Sequence, residues 1–439
     1  MHLRIRIKNI LRRLPAAQVL VIGFAMVILI GAFLLWLPVS LHTGVRITFM
    51  EALFESTSAV CVTGLTVVPV GDTFSVFGRT ILAILIQIGG MGVVLLGVML
   101  ILAAGGRMGF RSRSLFVQAQ NLYGYSDIYL VAKRIIVITF GIEAVGALLC
   151  FFCFLPYYPP LKALGYALFH SISAFNNAGF DIFGGFDSMI PFASDVPLNL
   201  VTGTLVILGG FGFLAMMDVL RSHLHWKKMM LTTKIVLTMT FSLLTAGTVM
   251  FKICSDCTWL QAWFQSVITR TAGFSTMPLS DFVPGGLLIF IVLMFIGASP
   301  NSTGGGVKTT TVFVAALKAF SSTCEHDEDS IFFRRVPEIV FTKAFTVLFF
   351  GFLVVLTGSL LVMIADPGLS MDSVLVEVTS AFATVGSSMG ITPGLSDFSR
   401  VVLISCMFIG RVGPVTIANL LVTRKQKEAR FTEESVLIG

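Results

Sequence analysis

Eight apolar segments run through this chain, and they constrain its fold more than any other feature. They lie at about residues 19–37, 80–104, 135–155, 198–217, 235–251, 286–298, 341–364 and 400–422. A helix that crosses a bilayer needs about 20 predominantly apolar residues, and most of these segments approach or exceed that length. Only 12% of the 439 residues are charged, whereas about a quarter are charged in a water-soluble domain. We therefore predict an all-α membrane protein with eight spans.

The distribution of Lys and Arg predicts the orientation of these spans. Most of the 30 basic residues lie in the N-terminal segment, in the loops 105–134, 221–234 and 318–343, and in the C-terminal tail. Basic residues concentrate on the cytoplasmic side of membrane proteins, so we expect both termini to be cytoplasmic. The N-terminus is similar to a secretory signal, but its apolar run is too long and no cleavage pattern follows. We expect the first segment to be a retained span.

Each segment on the opposite side contains a shorter apolar stretch, which cannot cross the bilayer. These stretches are residues 50–59, 164–175, 259–268 and 374–382. A ten-residue helix is about 15 Å long and reaches halfway through a hydrocarbon core of about 30 Å. The irregular chain that follows it is tolerated at that depth only where it lines a water-filled cavity. The predicted unit is therefore a span, a half-length helix, a loop and a second span.

This unit occurs four times, and each copy carries a glycine in a polar cluster after the half-length helix. The aligned glycines are Gly64, Gly179, Gly273 and Gly386. The predicted divisions are a cytoplasmic N-terminus (1–18), repeat 1 (19–104), repeat 2 with its preceding cytoplasmic loop (105–220), repeat 3 (221–320), repeat 4 (321–422) and a cytoplasmic tail (423–439). Parallel repeats favour a pore on one pseudo-four-fold axis over a rocking transporter with inverted repeats.

The repeated glycine fits the chemistry of a potassium filter. Rings of backbone carbonyls replace the hydration shell of the ion, and the required backbone angles favour glycine. The negative end of each half-length helix also stabilises a cation at the pore centre. The alternative is that these glycines serve close helix packing; four glycines in register favour the filter. The predicted filter residues are Val60, Cys61, Val62, Thr63, Gly64, Asn176, Asn177, Ala178, Gly179, Arg270, Thr271, Ala272, Gly273, Ala383, Thr384, Val385 and Gly386.

The third repeat differs from the others after its glycine. Its second span, 287–298, is interrupted by a polar segment at 299–311, and an apolar helical pattern resumes at 311–320. Three consecutive glycines and a proline make it energetically unfavourable to continue the helix. We predict a gate that blocks ions until it is displaced; the alternative is a structural kink. The predicted gate residues in this segment are Ser299, Pro300, Asn301, Ser302, Thr303, Gly304, Gly305, Gly306 and Lys308.

Three basic residues lie at predicted membrane depth. Arg411 is a lone charge in the last span, and we expect it to hold the gate through the carbonyls or hydroxyls of the 299–311 segment. The alternative is that it snorkels to the cytoplasm. Lys308 is placed to repel cations from the closed pore. We expect Arg270 to turn away from the axis into an ion pair, with Glu51 and Glu55 as candidate partners.

Other motifs carry less information about function. The clusters at 89–92 and 209–212, Gly-Gly-X-Gly in each case, fit packing better than a hinge. Cys254 and Cys257 are spaced for a local disulfide, and no histidine accompanies them at the spacing of a zinc site. The histidines pair with no nucleophile motif, so we do not expect an enzyme. The segment Gly304–Thr309 departs from the phosphate-loop pattern at Val307, and no basic stretch interleaves with aromatic residues as in nucleic-acid-binding proteins.

The glycine clusters together resemble the four filters of the Trk/Ktr/HKT potassium transporter superfamily. The matching stretches are Ser58-Ala-Val-Cys-Val-Thr-Gly-Leu65, Ser173-Ala-Phe-Asn-Asn-Ala-Gly-Phe180, Thr269-Arg-Thr-Ala-Gly-Phe-Ser275 and Phe382-Ala-Thr-Val-Gly386. The chain is most similar to the Ktr membrane subunits. The resemblance implies potassium uptake across the cytoplasmic membrane, with sodium as a frequent activator and no organic cofactor. It also implies a homodimer in membrane lipid and a cytoplasmic ring of KtrA-like nucleotide-binding regulatory subunits. Plant-type members that favour sodium carry serine where this chain has Gly64.

Overall fold

Helices make up almost all of the regular structure in the computed structural model. The structure describes residues 16–92, 95, 98, 128–323, 330–414, 416 and 417. The strands in this part of the chain form one hairpin, β1 (Ser330–Ile331) and β2 (Arg334–Arg335). Among these residues, four helices are long and apolar enough to cross a membrane, or five if a bent pair of helices counts as one span. The predicted all-α membrane class is confirmed. The predicted tail at 423–439 and most of the N-terminus and of the 105–134 loop lie outside the described residues.

The helices follow one order four times: a long outer helix, a short helix, a loop and an inner helix. The outer helices are α1 (Ala16–Trp36), α5 (Ile128–Phe154), α9 (Leu231–Cys254) and α13 (Glu338–Ala365). The short helices are α2 (Phe49–Cys61), α6 (Pro160–Phe175), α10 (Trp259–Ile268) and α14 (Met371–Ala383). The inner helices are α4 (Val76–Met91), α7 (Val196–Phe211), α11 (Pro284–Phe295) and α15 (Asp397–Val412). Three further helices are α3 (Val70–Thr73), α8 (Phe213–Ser222) and α12 (Thr309–Thr323).

The short helices begin at defined sequence signals. Thr48 and Glu51 form a reciprocal capping box at the start of α2, and Thr258 and Gln261 do the same for α10. The Ser370 hydroxyl accepts a hydrogen bond from the amide of Ser373 at the start of α14. These caps satisfy amides that have no partner within the helix and so fix the first turns of α2, α10 and α14, whereas α6 begins at Pro160 without a side-chain cap.

The inner helices are shorter than the predicted spans because they break at glycines. α4, α7 and α15 end at Gly92, Gly212 and Gly413, where φ is +86°, +94° and +97°. These angles lie in the region that favours glycine and interrupts a right-handed helix. α7 and α8 meet across Gly212 at an angle of 94°. The prediction of continuous spans at 80–104, 198–217 and 400–422 was therefore wrong at these glycines.

Each inner helix packs on the short helix of the next repeat. α4 contacts α6, α7 contacts α10, α11 contacts α14, and α15 contacts α2. The last of these contacts returns the chain to its first repeat. The helices therefore form a closed ring around the four loops that follow the short helices.

Candidate functional site

The four aligned glycines meet in a ring. A Cβ atom built on Gly64 would collide with the carbonyl of Ala178, one on Gly179 with that of Ala272, and one on Gly273 with that of Val385. One on Gly386 would collide with the carbonyl of Thr63, which closes the cycle. Each loop thus places the carbonyl before its glycine against the glycine of a neighbour, and no larger residue fits.

The same pattern of positive φ angles occurs in the backbone of each loop. A residue two positions before each glycine has a positive φ, and so does the glycine itself. These pairs are Val62 and Gly64, Asn177 and Gly179, Thr271 and Gly273, and Thr384 and Gly386. A positive φ is unfavourable for β-branched residues such as Val62, and it persists only where the surroundings enforce it. We call the segments 62–64, 176–179, 269–273 and 384–386 glycine loops 1 to 4.

Serines in the short helices hold two of these loops. The Ser58 hydroxyl accepts a hydrogen bond from the amide of Gly64 at 3.0 Å, and the Ser380 hydroxyl accepts one from Gly386 at 3.0 Å. The carbonyl of Ser58 also accepts from the amide of Thr63 at 2.8 Å. These two serines thus have a structural role that the sequence did not specify.

Two buried glutamates on the short helices hold the chain after the glycine, a role that the sequence pattern did not predict. The Glu55 carboxylate accepts hydrogen bonds from the amides of Val67 at 2.8 Å and Val68 at 3.3 Å. Glu377 accepts from the hydroxyls of Ser388, at 2.9 Å, and Thr392. An acidic residue inside an apolar stretch at membrane depth was the available signal.

A cavity of ≈ 250 Å³ lies on the side of the ring formed by residues that follow the glycines. Its lining includes all four glycines and Asp181. The pKa of the Asp181 carboxyl is raised to about 7, mainly by burial and in smaller part by the nearby Asp187 and Asp72, although a hydrogen bond from the Phe183 amide lowers it.

The interrupted segment of repeat 3 closes the opposite side of the ring. We call residues 299–308 the interrupting loop, because α11 ends at Phe295 and α12 begins at Thr309. The Gly305 amide donates to the Thr384 hydroxyl at 2.9 Å, and the Thr303 hydroxyl donates to the Phe175 carbonyl at 3.3 Å. The loop therefore touches residues that precede the glycines.

Arg411 joins the interrupting loop to the inner helix of repeat 1. Its guanidinium donates to the carbonyls of Thr303 and Gly89, and to that of Gly90 at 3.3 Å. Thr303 belongs to the segment in which partners were predicted, whereas Gly89 and Gly90 lie outside it. With these buried partners, the side chain does not snorkel to the cytoplasm. Lys308 donates to the Gly304 carbonyl at 2.7 Å.

Three of the predicted filter residues lie in the short helices rather than in the glycine loops. Val60 and Cys61 lie in the last turn of α2, as Ala383 does in α14, and the Val60 carbonyl packs against Gly89. Loop 1 thus leaves the helix only at Val62. The tight contacts of Gly89 support the predicted packing role of its cluster, whereas Gly92 is a break.

The ion pair predicted for Arg270 is not formed within the described part of the chain. Arg270 is buried, at 6% exposure, and no carboxylate there lies within 4.0 Å of its guanidinium. Glu55 is occupied by backbone amides, and Glu51 lies 4.0 Å from Arg400. The suggested disulfide is also wrong, because Cys254 and Cys257 are free thiols.

Comparisons with known proteins agree with this architecture. The family model of TrkH, described as a cation transport protein, matches residues 10–250 and 224–431. Ktr system potassium uptake protein B of Vibrio alginolyticus is 36% identical over 438 residues, covering 96% of this chain and 94% of the relative. Potassium/sodium uptake protein NtpJ of Enterococcus hirae is 32% identical, covering 98% and 99%.

A solved structure supports the fold independently. The crystal structure of the potassium transporter TrkH from Vibrio parahaemolyticus matches with a TM-score of 0.74 and 22% identity, over 92% of this chain and 84% of that chain. These relatives are named as transporters, in agreement with the absence of enzyme motifs in the sequence. With the family model matched along most of its length, the chain belongs to the TrkH family of cation transport proteins.

Proposed function

We propose that this chain takes up potassium ions across the cytoplasmic membrane through a pore whose selectivity filter is the ring of glycine loops. The observation that carries the proposal is the cyclic contact of Gly64, Gly179, Gly273 and Gly386 with the carbonyls of neighbouring loops. Relatives of this chain are named as potassium uptake proteins, and NtpJ is named for potassium and sodium.

The physical basis is the replacement of water by carbonyl oxygens. A potassium ion loses its hydration shell in the ring and gains backbone oxygens from four loops. The short helices direct their partly negative C-terminal ends towards the same centre, which favours a cation there. The alternating positive φ at Val62 and Gly64, and at their counterparts, supports carbonyls that point to one axis.

The interrupting loop serves as the gate in this proposal. Its contacts with Phe175 and Thr384 put it directly behind the ring, where it obstructs the path of an ion. Arg411 holds this closed position by joining Thr303 to the inner helix α4. Glycines at 304–306 allow the loop to move when these hydrogen bonds break.

The same proposal extends to the oligomeric state of the protein and to its regulatory subunits. The chain works as a homodimer in which each protomer has its own pore, and a cytoplasmic ring of nucleotide-binding subunits moves the gate. Sodium acts as an activator of uptake. The support for these points is the similarity to Ktr system membrane proteins.

Potassium uptake by cells that lack their own potassium transporters tests the proposal. Cells that express this chain with a regulatory subunit of the Ktr type should grow at low external potassium and accumulate potassium faster than cells with an empty vector. Membrane fractions establish that the protein is present. Presence of the protein without potassium accumulation would overturn the proposal, and equal accumulation of sodium would assign a cation pore without potassium selectivity.

A further inference from the structure

Glu143 is an acidic residue in the middle of the outer helix α5. It is only 5% exposed, and it is the only charged residue of α5 after Arg134, in a helix long enough to cross the membrane. An ionisable side chain at that depth requires hydrogen-bonding partners, because lipid supplies none. Its partners therefore indicate what it does.

The Glu143 carboxylate forms a closed triangle with two amide side chains. The Asn176 side-chain amide donates to Glu143 Oε1 at 2.9 Å and is 2.9 Å from Gln87 Oε1, which also accepts from it. Gln87 Nε2 donates to Glu143 Oε2 at 3.1 Å. Three elements meet here: the outer helix of repeat 2, glycine loop 2, and the inner helix of repeat 1.

Asn176 is the first residue of glycine loop 2, three positions before Gly179. Its side chain turns away from the ring and packs against Gly90, where a Cβ atom would collide with it. The positions three residues before the glycine in the other repeats are Cys61, Arg270 and Ala383. An amide at this position is thus a property of loop 2 alone, and so is the carboxylate that holds it.

We propose that Glu143 is a positioning residue for glycine loop 2, which acts through Asn176 to fix the direction of the loop carbonyls. The proposal rests on the assignment of the glycine loops as a filter. Hydrogen bonds to a carboxylate are stronger than those between neutral groups, so the carboxylate limits rotation of the Asn176 side chain and of the peptide that follows it. The Ala178 carbonyl, which contacts Gly64, is then held in place within the ring.

The first test compares potassium and sodium flux in liposomes that contain purified variants. Glu143→Ala removes the acceptor of two amides, and we expect the potassium-to-sodium permeability ratio to fall about tenfold. Thr139→Ala is the matched control, because Thr139 is buried one turn earlier on α5 and its hydroxyl has no hydrogen-bond partner among the described residues. The control should keep the ratio of the wild type.

A charge exchange separates this role from simple packing. Asn176→Asp replaces the amide donor with a second carboxyl group and should abolish selectivity, because a proton shared with Glu143 replaces only one of the hydrogen bonds that the amide gives to Glu143 and Gln87. Adding Glu143→Gln supplies an amide donor for the new carboxylate and should restore most of the wild-type potassium-to-sodium permeability ratio. The same second substitution should not rescue Asn177→Asp, since the Asn177 side chain contacts Thr271 rather than Glu143.

The outcomes distinguish this inference from the proposed function. If the wild type selects potassium and the single variants Glu143→Ala and Asn176→Asp select it equally well, the positioning role is wrong and the filter assignment stands. Rescue of Asn177→Asp to the same extent as Asn176→Asp would also contradict the positioning role. A wild type without selectivity would overturn both proposals. The exchange variants answer the question even if Glu143→Ala does not fold.

Discussion

Four non-glycine residues in the glycine loops adopt left-handed backbone angles. These residues are Val62, Asn177, Thr271 and Thr384. The left-handed region costs an L-amino acid about 1–2 kcal/mol, so the surrounding hydrogen bonds must enforce this conformation. The sequence predicted the glycines of the ring correctly as a repeated set, because glycine is recognisable by its type. It did not indicate the angle at Val62, because valine ordinarily favours extended backbone.

Substitution of Gly90 tests the contact between the inner helix of repeat 1 and loop 2. A methyl group at this position would collide with the Asn176 side chain, so Gly90→Ala should displace loop 2 and lower the potassium-to-sodium permeability ratio. Gly141→Ala is the control, because a Cβ atom at this helical glycine has no neighbour within 4 Å. Equal ratios in the two variants would show that Asn176 adapts without consequence. The permeability ratio is measured from ion flux in liposomes under opposed gradients of potassium and sodium.

In the proposed pore, Asp181 should make ion flux depend on the pH of the cavity side, which is external in the predicted orientation. Its pKa of about 7, raised by burial, leaves the carboxyl neutral below that pH and ionised above it. A negative charge at the entrance attracts cations, so potassium flux should fall by about twofold as the external pH is lowered from about 8 to about 6. Asp181→Asn should remove this dependence. Asp187→Asn should keep it and move its midpoint to lower pH, because Asp187 raises the pKa of Asp181; an unchanged profile in Asp181→Asn would refute the assignment.

At the scale of elements, the short helices were predicted well and the inner helices less well. The short helices have capping residues such as Thr48 and are bounded by polar clusters, so their positions follow from local sequence. The breaks at Gly92, Gly212 and Gly413 did not follow, because a glycine within an apolar run is compatible with helix packing as well as with a turn. Tertiary contacts decide between the two. Gly89 packs on the Val60 carbonyl, and Gly92 has no atom nearby.

The interrupting loop should move more readily when Arg411 is replaced. Arg411→Gln removes the positive charge, and its shorter side chain cannot bridge the carbonyls of Thr303 and Gly89. Ion flux without the regulatory subunit should therefore rise several-fold over the wild type. Arg400→Gln on the same helix is the control, since Arg400 contacts Asp397 near the start of α15. An Arg411→Gln flux at or below that of the wild type, with normal protein in the liposomes, would contradict the gate role.

At the scale of the whole molecule, the ring depends on contacts between repeats rather than within them. The inner helix of each repeat packs on the short helix of the next, and α15 returns to α2. The sequence predicts four equivalent units and hence a common axis, but it does not show which helix contacts which repeat. The Glu143, Gln87 and Asn176 triangle was missed for the same reason, because its members are 33 to 89 residues apart in the chain.

The most direct test of the account is the selectivity of the purified protein when the ring itself is altered. Potassium and sodium flux in liposomes should favour potassium in the wild type, and Gly64→Ser should lose that preference, because a side chain there collides with the Ala178 carbonyl. Gly44→Ser is the control, since Gly44 also has a positive φ, +87°, but has no atom within 4 Å of its Cβ position; it should behave as the wild type. Equal permeation of both ions in the wild type, or an unchanged preference in Gly64→Ser, would contradict the assignment of the ring as a potassium filter.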